Sequence, residues 1–214
     1  VENNELQLQY QPKVDINMNR IVGVEALLRW EHPGMGYISP LDFIPIAEDS
    51  GLIAPIGEWV LHTAFADLGK WHAAGHGHIT MAVNLSSSQL VRPGLEAIVE
   101  AALAASGTDP TMAELEITEN AVMQNIDLAI TTLQKLRQMG ISIAMDDFGS
   151  GYSSLSYLRR LPVDVVKIDH SFVQGIPENK EDAMIAEADR RGGMIQAFRG
   201  PEPQGNILQT LARL

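Results

Sequence analysis

Ile141-Ser142-Ile143-Ala144-Met145-Asp146-Asp147-Phe148-Gly149-Ser150-Gly151-Tyr152 is the stretch on which the reading of this chain turns. The mostly apolar run from Ile141 to Met145 has the length and composition of a buried strand. It delivers two adjacent carboxylates into a turn rich in glycine and serine. Neighbouring carboxylates at a buried strand end repel each other with little water to screen them. A divalent cation removes that conflict, because hard oxygen donors bind Mg2+ or Mn2+. Asp, Gly and Ser also favour a plain solvated turn, so these residues alone leave both readings open.

Four further runs carry the same anomaly. Glu25 interrupts the apolar Ile21 to Trp30 run, Asn84 stands near the end of Met81-Ala82-Val83-Asn84-Leu85, Glu116 sits inside Leu115-Glu116-Ile117, and Lys167 lies in Val163 to Asp169. Taken singly, a polar residue near a strand end is commonly solvated or hydrogen-bonded locally. Five strands repeating it point to parallel neighbours whose ends converge on one site.

Between these runs the sequence reads as helix. Ser39-Pro40-Leu41-Asp42 combines an N-cap, a first-turn proline and a carboxylate three residues after the cap, which opens a helix ending near Gly51. Ile126, Ile130, Leu133 and Leu136 recur at helical spacing as core positions, with Gly140 as the stop. Repeated strand and helix units with strand-end polar residues predict an α/β fold with a parallel sheet, and with this many units a TIM-type (β/α)8 barrel, whose site lies at the C-terminal strand ends.

The 214 residues suffice for one large core, and 45% hydrophobic with 20% charged is ordinary for a globular chain. Without cysteine there are neither disulfides nor thiolate zinc sites, in keeping with a reducing cytoplasmic location. The polar start is no signal peptide, and no run of about 18 apolar residues spans a membrane. The formal charge of −12 argues against a nucleic acid polymer as partner. An anionic substrate is then met locally, by metal ions and by cations such as Arg29 and Lys167.

Glu25-Ala26-Leu27, Tyr10-Gln11-Pro12-Lys13-Val14, Leu27-Leu28-Arg29-Trp30, Val83-Asn84-Leu85-Ser86, Leu115-Glu116-Ile117-Thr118-Glu119, the Asp146 to Leu155 loop and Val166-Lys167-Ile168-Asp169 stand in the order seen in EAL domains. The chain resembles that family, the phosphodiesterases of the bacterial second messenger cyclic di-GMP, from about Leu6 to about Ala188. So many motifs in order are specific where any one alone is weak. The resemblance implies a barrel with an irregular, antiparallel first strand.

It also implies roles. Glu25, Asn84, Glu116 and Asp146 are the expected ligands of a first metal, and Asp147 helps to hold a second. Lys167 contacts the reacting phosphate or its water, with a structural salt bridge to a neighbouring carboxylate as the other reading. Lys167 and Asp147 are thus the expected catalytic groups, and Gln11 and Arg29 line the substrate groove together with Lys167. Glu119 anchors the Asp146 to Leu155 loop or caps the next helix, and that loop region serves a homodimer. The expected cofactor is Mg2+ or Mn2+ in a two-metal site, and the parent protein is expected to carry GGDEF or sensory domains and to admit a membrane anchor elsewhere.

The pattern breaks after Ala188. The family continues with a helix, a strand bearing Glu-Gly-Val-Glu and a last strand, whereas Asp189 to Leu214 contains no such motif. Four Arg against Asp189 and Glu202 give this tail +2 and leave −14 on the preceding body. Residues 1–188 therefore read as an EAL domain with an incomplete barrel lacking its last two strands, and 189–214 as an atypical tail, the mark of a frameshifted or truncated gene end or of a variant that patches the barrel. The missing glutamate makes the second metal site incomplete. Three functions stay open: metal-dependent hydrolysis of cyclic di-GMP to linear pGpG with impaired turnover, a module that binds the nucleotide without cutting it, and a non-functional fragment.

Overall fold

The computed structural model describes residues 5–15, 18–148, 160–168 and 195–197. Expectations that fall on the rest of the Asp146 to Leu155 loop, on Asp169 and on most of the tail lie outside the described residues.

Strand β1 (Leu6–Asp15) pairs antiparallel with β2 (Arg20–His32), and the short β3 (Gly36–Ile38) folds back on β2. Helices α1 (Pro40–Asp49) and α2 (Ile53–Ala73) lead to β4 (Thr80–Leu85). Then come α3 (Ser87–Leu90), α4 (Leu95–Ser106), β5 (Ala113–Thr118), α5 (Glu119–Met123), α6 (Ile126–Gln138), β6 (Ser142–Phe148), β7 (Val165–Ile168) and β8 (Ile195–Ala197). The ladder runs β1-β2-β4-β5-β6-β7-β8, parallel from β2 onward. This is the α/β, TIM-barrel-like architecture expected, with the antiparallel first strand and a register shift in it between Lys13 and Val14. Strand β8 lies inside the tail that the family pattern does not cover, and among the described residues no ladder joins it to β1.

Side-chain alternation divides the sheet into two faces. Val24, Met81, Val83, Leu85, Leu115, Ile117, Ile143 and Met145 occupy matched rows, since Val24 pairs with Met81, Val83 with Leu115, Leu115 with Ile143 and Ile117 with Met145. All are buried, in one cluster with Leu61, Phe65 and Leu68 of α2, Val99 and Leu103 of α4 and Leu133 and Leu136 of α6. Helix α1 starts as read, with Ser39 Oγ accepting from the Leu41 amide. Helix α6 buries Ala129, Thr132, Leu133 and Leu136, while Ile126 and Ile130 are only half-buried. Its contact stripe is thus rotated from the one the apolar residues alone predict, because small Ala129 and Thr132 allow close approach. Gly140, at φ 96°, makes the turn into β6, a conformation that glycine adopts without penalty.

The opposite face is polar and carries the residues singled out by the sequence. Because Glu25 pairs with Ala82, Asn84 with Glu116, Glu116 with Ala144 and Thr118 with Asp146, each step from strand to strand moves by zero or two residues. Even steps preserve the face, so β2, β4, β5 and β6 aim Glu25, Asn84, Glu116 and Asp146 the same way.

Candidate metal centre and substrate groove

Glu25, Glu116 and Asp146 each bring a carboxylate oxygen within 4.8 Å of the others, a group that could hold a metal ion. The Lys167 Nζ donates to all three, to Glu116 Oε2 at 2.6 Å, Asp146 Oδ2 at 3.0 Å and Glu25 Oε2 at 3.2 Å. One ammonium thus marks the point on which three hard oxygen donors converge, and this donor set fits a hard divalent cation. Asn84 Nδ2 donates to Glu25 Oε1 at 2.7 Å, fixing the second oxygen of that carboxylate.

Electrostatics separate the two glutamates. Burial and the neighbouring Glu116 push the Glu25 carboxyl above the usual range, against the pull of Lys167 and the Asn84 amide. Burial also opposes ionisation of Glu116, but Lys13 and Lys167 outweigh it and hold that carboxyl below the usual range. Lys167 loses by desolvation and gains more from Glu116, Glu25 and Asp146, so its pKa is raised and it stays cationic. Of the two readings of Lys167, the structural salt bridge is present, to three neighbouring carboxylates.

Asp147 is exposed and has φ 53°, with its backbone N–H donating to Asp146 Oδ1 at 3.0 Å. Aspartate adopts this left-handed conformation more readily than most residues, and of the adjacent pair Asp146 belongs to the convergent trio. Glu119 is the first residue of α5, but the cap is supplied by Thr118, whose Oγ1 accepts from the Ala121 amide. The capping reading of Glu119 therefore passes to its neighbour.

On the antiparallel side, Gln11 pairs with Glu25 in register. Arg29 is buried, its Nε donating to Gln9 Oε1 at 3.0 Å and its Nη1 to the Leu28 carbonyl at 3.0 Å. Sequence reasoning missed Gln9, Lys13 and Glu114. Lys13 Nζ reaches Glu114 Oε1 at 2.5 Å and Glu116 Oε1 at 2.8 Å. A period of two was the available signal: Gln9, Gln11 and Lys13 alternate on β1, and Glu114 precedes Glu116 by one pleat.

The EAL domain family model matches residues 1–191. The chain belongs to the EAL domain family. It is 44% identical over 188 residues to the cyclic di-GMP phosphodiesterase NbdA of Pseudomonas aeruginosa, covering 88% of this chain and 24% of that protein. It is 45% identical over 188 residues to the bifunctional diguanylate cyclase/cyclic di-GMP phosphodiesterase MucR of the same organism, covering 88% of this chain and 27% of that protein. The chain thus spans about a quarter of the length of these curated relatives. A structure of the PaMucR phosphodiesterase in complex with c-di-GMP superposes with a TM-score of 0.85 at 42% identity, covering 99% of this chain and 87% of that one. Among the described residues, no helix is long and apolar enough to cross a membrane.

Proposed function

We propose that this EAL domain hydrolyses cyclic di-GMP to linear pGpG with the help of Mg2+ or Mn2+, at a turnover limited by its atypical C-terminal part. The convergence of Glu25, Glu116 and Asp146 on the Lys167 ammonium carries the reading, and the phosphodiesterase relatives NbdA and MucR support the substrate.

In this reading Glu25, Asn84, Glu116 and Asp146 hold a first cation and Asp147 contributes to a second. When bound, such ions supply Lewis-acid polarisation of the phosphoryl group and lower the pKa of water. The protein's own share is placement. Lys167, kept cationic by three carboxylates, offers its ammonium to a phosphate oxygen or to the incoming water. Arg29, braced by Gln9 and the Leu28 carbonyl, presents a fixed positive edge of the kind that suits phosphate, and Gln11 lies one strand from Glu25. Water adds its hydroxyl to phosphorus, the bond to one ribose oxygen breaks, and that oxygen takes the remaining proton.

The absence of a Glu-Gly-Val-Glu motif from the sequence favours a second reading, a module that binds the nucleotide without cutting it. The EAL domain in this reading comprises residues 1–188, the tail 189–214 replaces the family's last elements, and Glu119 anchors the Asp146 to Leu155 loop, which serves a homodimer. The parent protein carries GGDEF or sensory domains and works in the cytoplasm. Calorimetric titration with cyclic di-GMP in Ca2+ and then Mg2+, with the Mg2+ sample chromatographed for pGpG, tests the proposal. Slow pGpG formation that Glu116→Gln abolishes is expected; binding without pGpG identifies the receptor-like module, and absence of binding overturns both.

A further inference from the structure

Glu116 is fully buried, and its two oxygens are held from opposite sides, Oε2 by Lys167 of β7 and Oε1 by Lys13 of β1. Lys13 reaches β5 across two intervening strands. In its own row β2 contributes Gly23, which has no side chain, and β4 contributes Thr80; the next row of β4 offers only Ala82. The gap is tightly specified, since a Cβ on Gly23 would lie 2.3 Å from Thr80 Oγ1. Through it the Lys13 ammonium joins Glu114 and Glu116, which stand one pleat apart on the same face.

We infer that Lys13 is a positioning residue for the metal centre: by holding Glu116 Oε1 and occupying Glu114, it limits Glu116 to one oxygen facing the cation and keeps the Glu114 carboxylate out of the coordination sphere. The inference rests on the metal-centre reading above. Glu114 lies in the row of Glu25, Ala82 and Ser142, directly beneath the row of Asn84 and Glu116. Released, it would compete for the ion from below and draw it away from Asp146. Groups that fix a ligand's orientation change metal affinity by roughly 10–100-fold when removed.

The test is calorimetric titration of the 214-residue chain with Mn2+ alone, alongside paramagnetic resonance of bound Mn2+. Lys13→Met is expected to let Glu114 into the coordination sphere, altering the spectrum and lowering the Mn2+ Kd at least tenfold, and Lys13→Arg is expected to restore most of the parent affinity and spectrum. Since Lys13→Met strands the buried Glu116 and the half-buried Glu114 carboxylates, the double variant Lys13→Met/Glu114→Gln removes the surplus charge; it is expected to melt near the parent temperature and still bind Mn2+ weakly, because Glu116 Oε1 remains unheld. Parent-like affinity and spectrum in either variant overturn the inference alone, as does loss of melting temperature without any change in Kd. Failure of the parent chain to bind Mn2+ overturns the metal-centre reading together with it.

Discussion

Lys167 sits where its charge both gathers the carboxylates and opposes a divalent ion. Two like charges a few ångströms apart in a partly buried site cost on the order of several kcal/mol at an effective dielectric near 20. Lys167→Met is therefore expected to tighten Mn2+ binding by at least about tenfold while abolishing pGpG formation, as calorimetry and product chromatography would read. Unchanged Mn2+ affinity would show that the ammonium does not share the ion's space. Glu25 gives a second prediction. Its carboxyl is raised chiefly by burial, so protons compete for it above the ordinary glutamate range, and Mn2+ affinity should begin to fall at a higher pH than the ordinary value of 4.5 as the solution is acidified. Titrations at successively lower pH check this, and a parent curve flat down to the ordinary range would refute it. At this scale the sequence was partly legible. Glu25, Asn84, Glu116, Asp146 and Lys167 stood out as polar breaks in apolar strands. Lys13 and Gln9 did not, since β1 alternates polar and apolar residues along most of its length and a functional polar residue has no contrast there.

Strands β2 and β4 are locked together by what Gly23 lacks. Adding a methyl group at Gly23→Ala forces it against Thr80 Oγ1 at 2.3 Å and the Thr80 carbonyl at 3.1 Å. The expected cost is about 1–3 kcal/mol, measured as a shift of the urea midpoint, with Thr80→Ala restoring only part because the carbonyl clash remains. Full tolerance of Gly23→Ala would mean that the two strands are not held in this register. Element positions were readable from caps and breakers, such as Ser39 before α1 and Gly140 after α6. The short β3 hairpin was not, because Gly36-Tyr37-Ile38 is too brief for any periodicity to register. The rotation of the α6 stripe toward Ala129 and Thr132 was hidden for a related reason: small and hydroxyl-bearing residues do not score as apolar although they pack closely.

Over the whole molecule, three groups, the half-buried Tyr10 and the buried Lys13 and Lys167, share one sign of response to alkali. Tyr10 donates to Asp67 Oδ2 at 2.6 Å and packs edge-on against Trp71, and burial together with that carboxylate raises its pKa far above 10.0. Lys13 and Lys167 are raised from 10.5, the carboxylates around them outweighing desolvation. Each folded value exceeds the unfolded one, so the stability they contribute is fully present below about pH 10 and drains away as pH rises through the folded values. Melting temperatures followed by circular dichroism should hold steady from pH 8 to about 10 and fall steeply beyond; Tyr10→Phe should flatten part of that fall, and an identical profile for the variant would contradict it. The global architecture was legible because the even register of the parallel strands repeats one anomaly five times. The route of the chain beyond β7 was not, since Ile195–Ala197 is three residues long and lies where the family pattern has ended.

The reversed direction of β1 has a mechanical corollary. Leu6 is paired with Trp30, past Glu25 toward the C-terminal end of β2, so the polypeptide enters the sheet at the rim that bears the carboxylates and descends to Lys13. A module fused ahead of Leu6 would therefore be tethered at the mouth of the site, and a pull or twist on that tether would be delivered to Gln9, Gln11 and Lys13 in turn. In this arrangement the first strand is a lever whose handle lies outside the domain and whose far end touches Glu116.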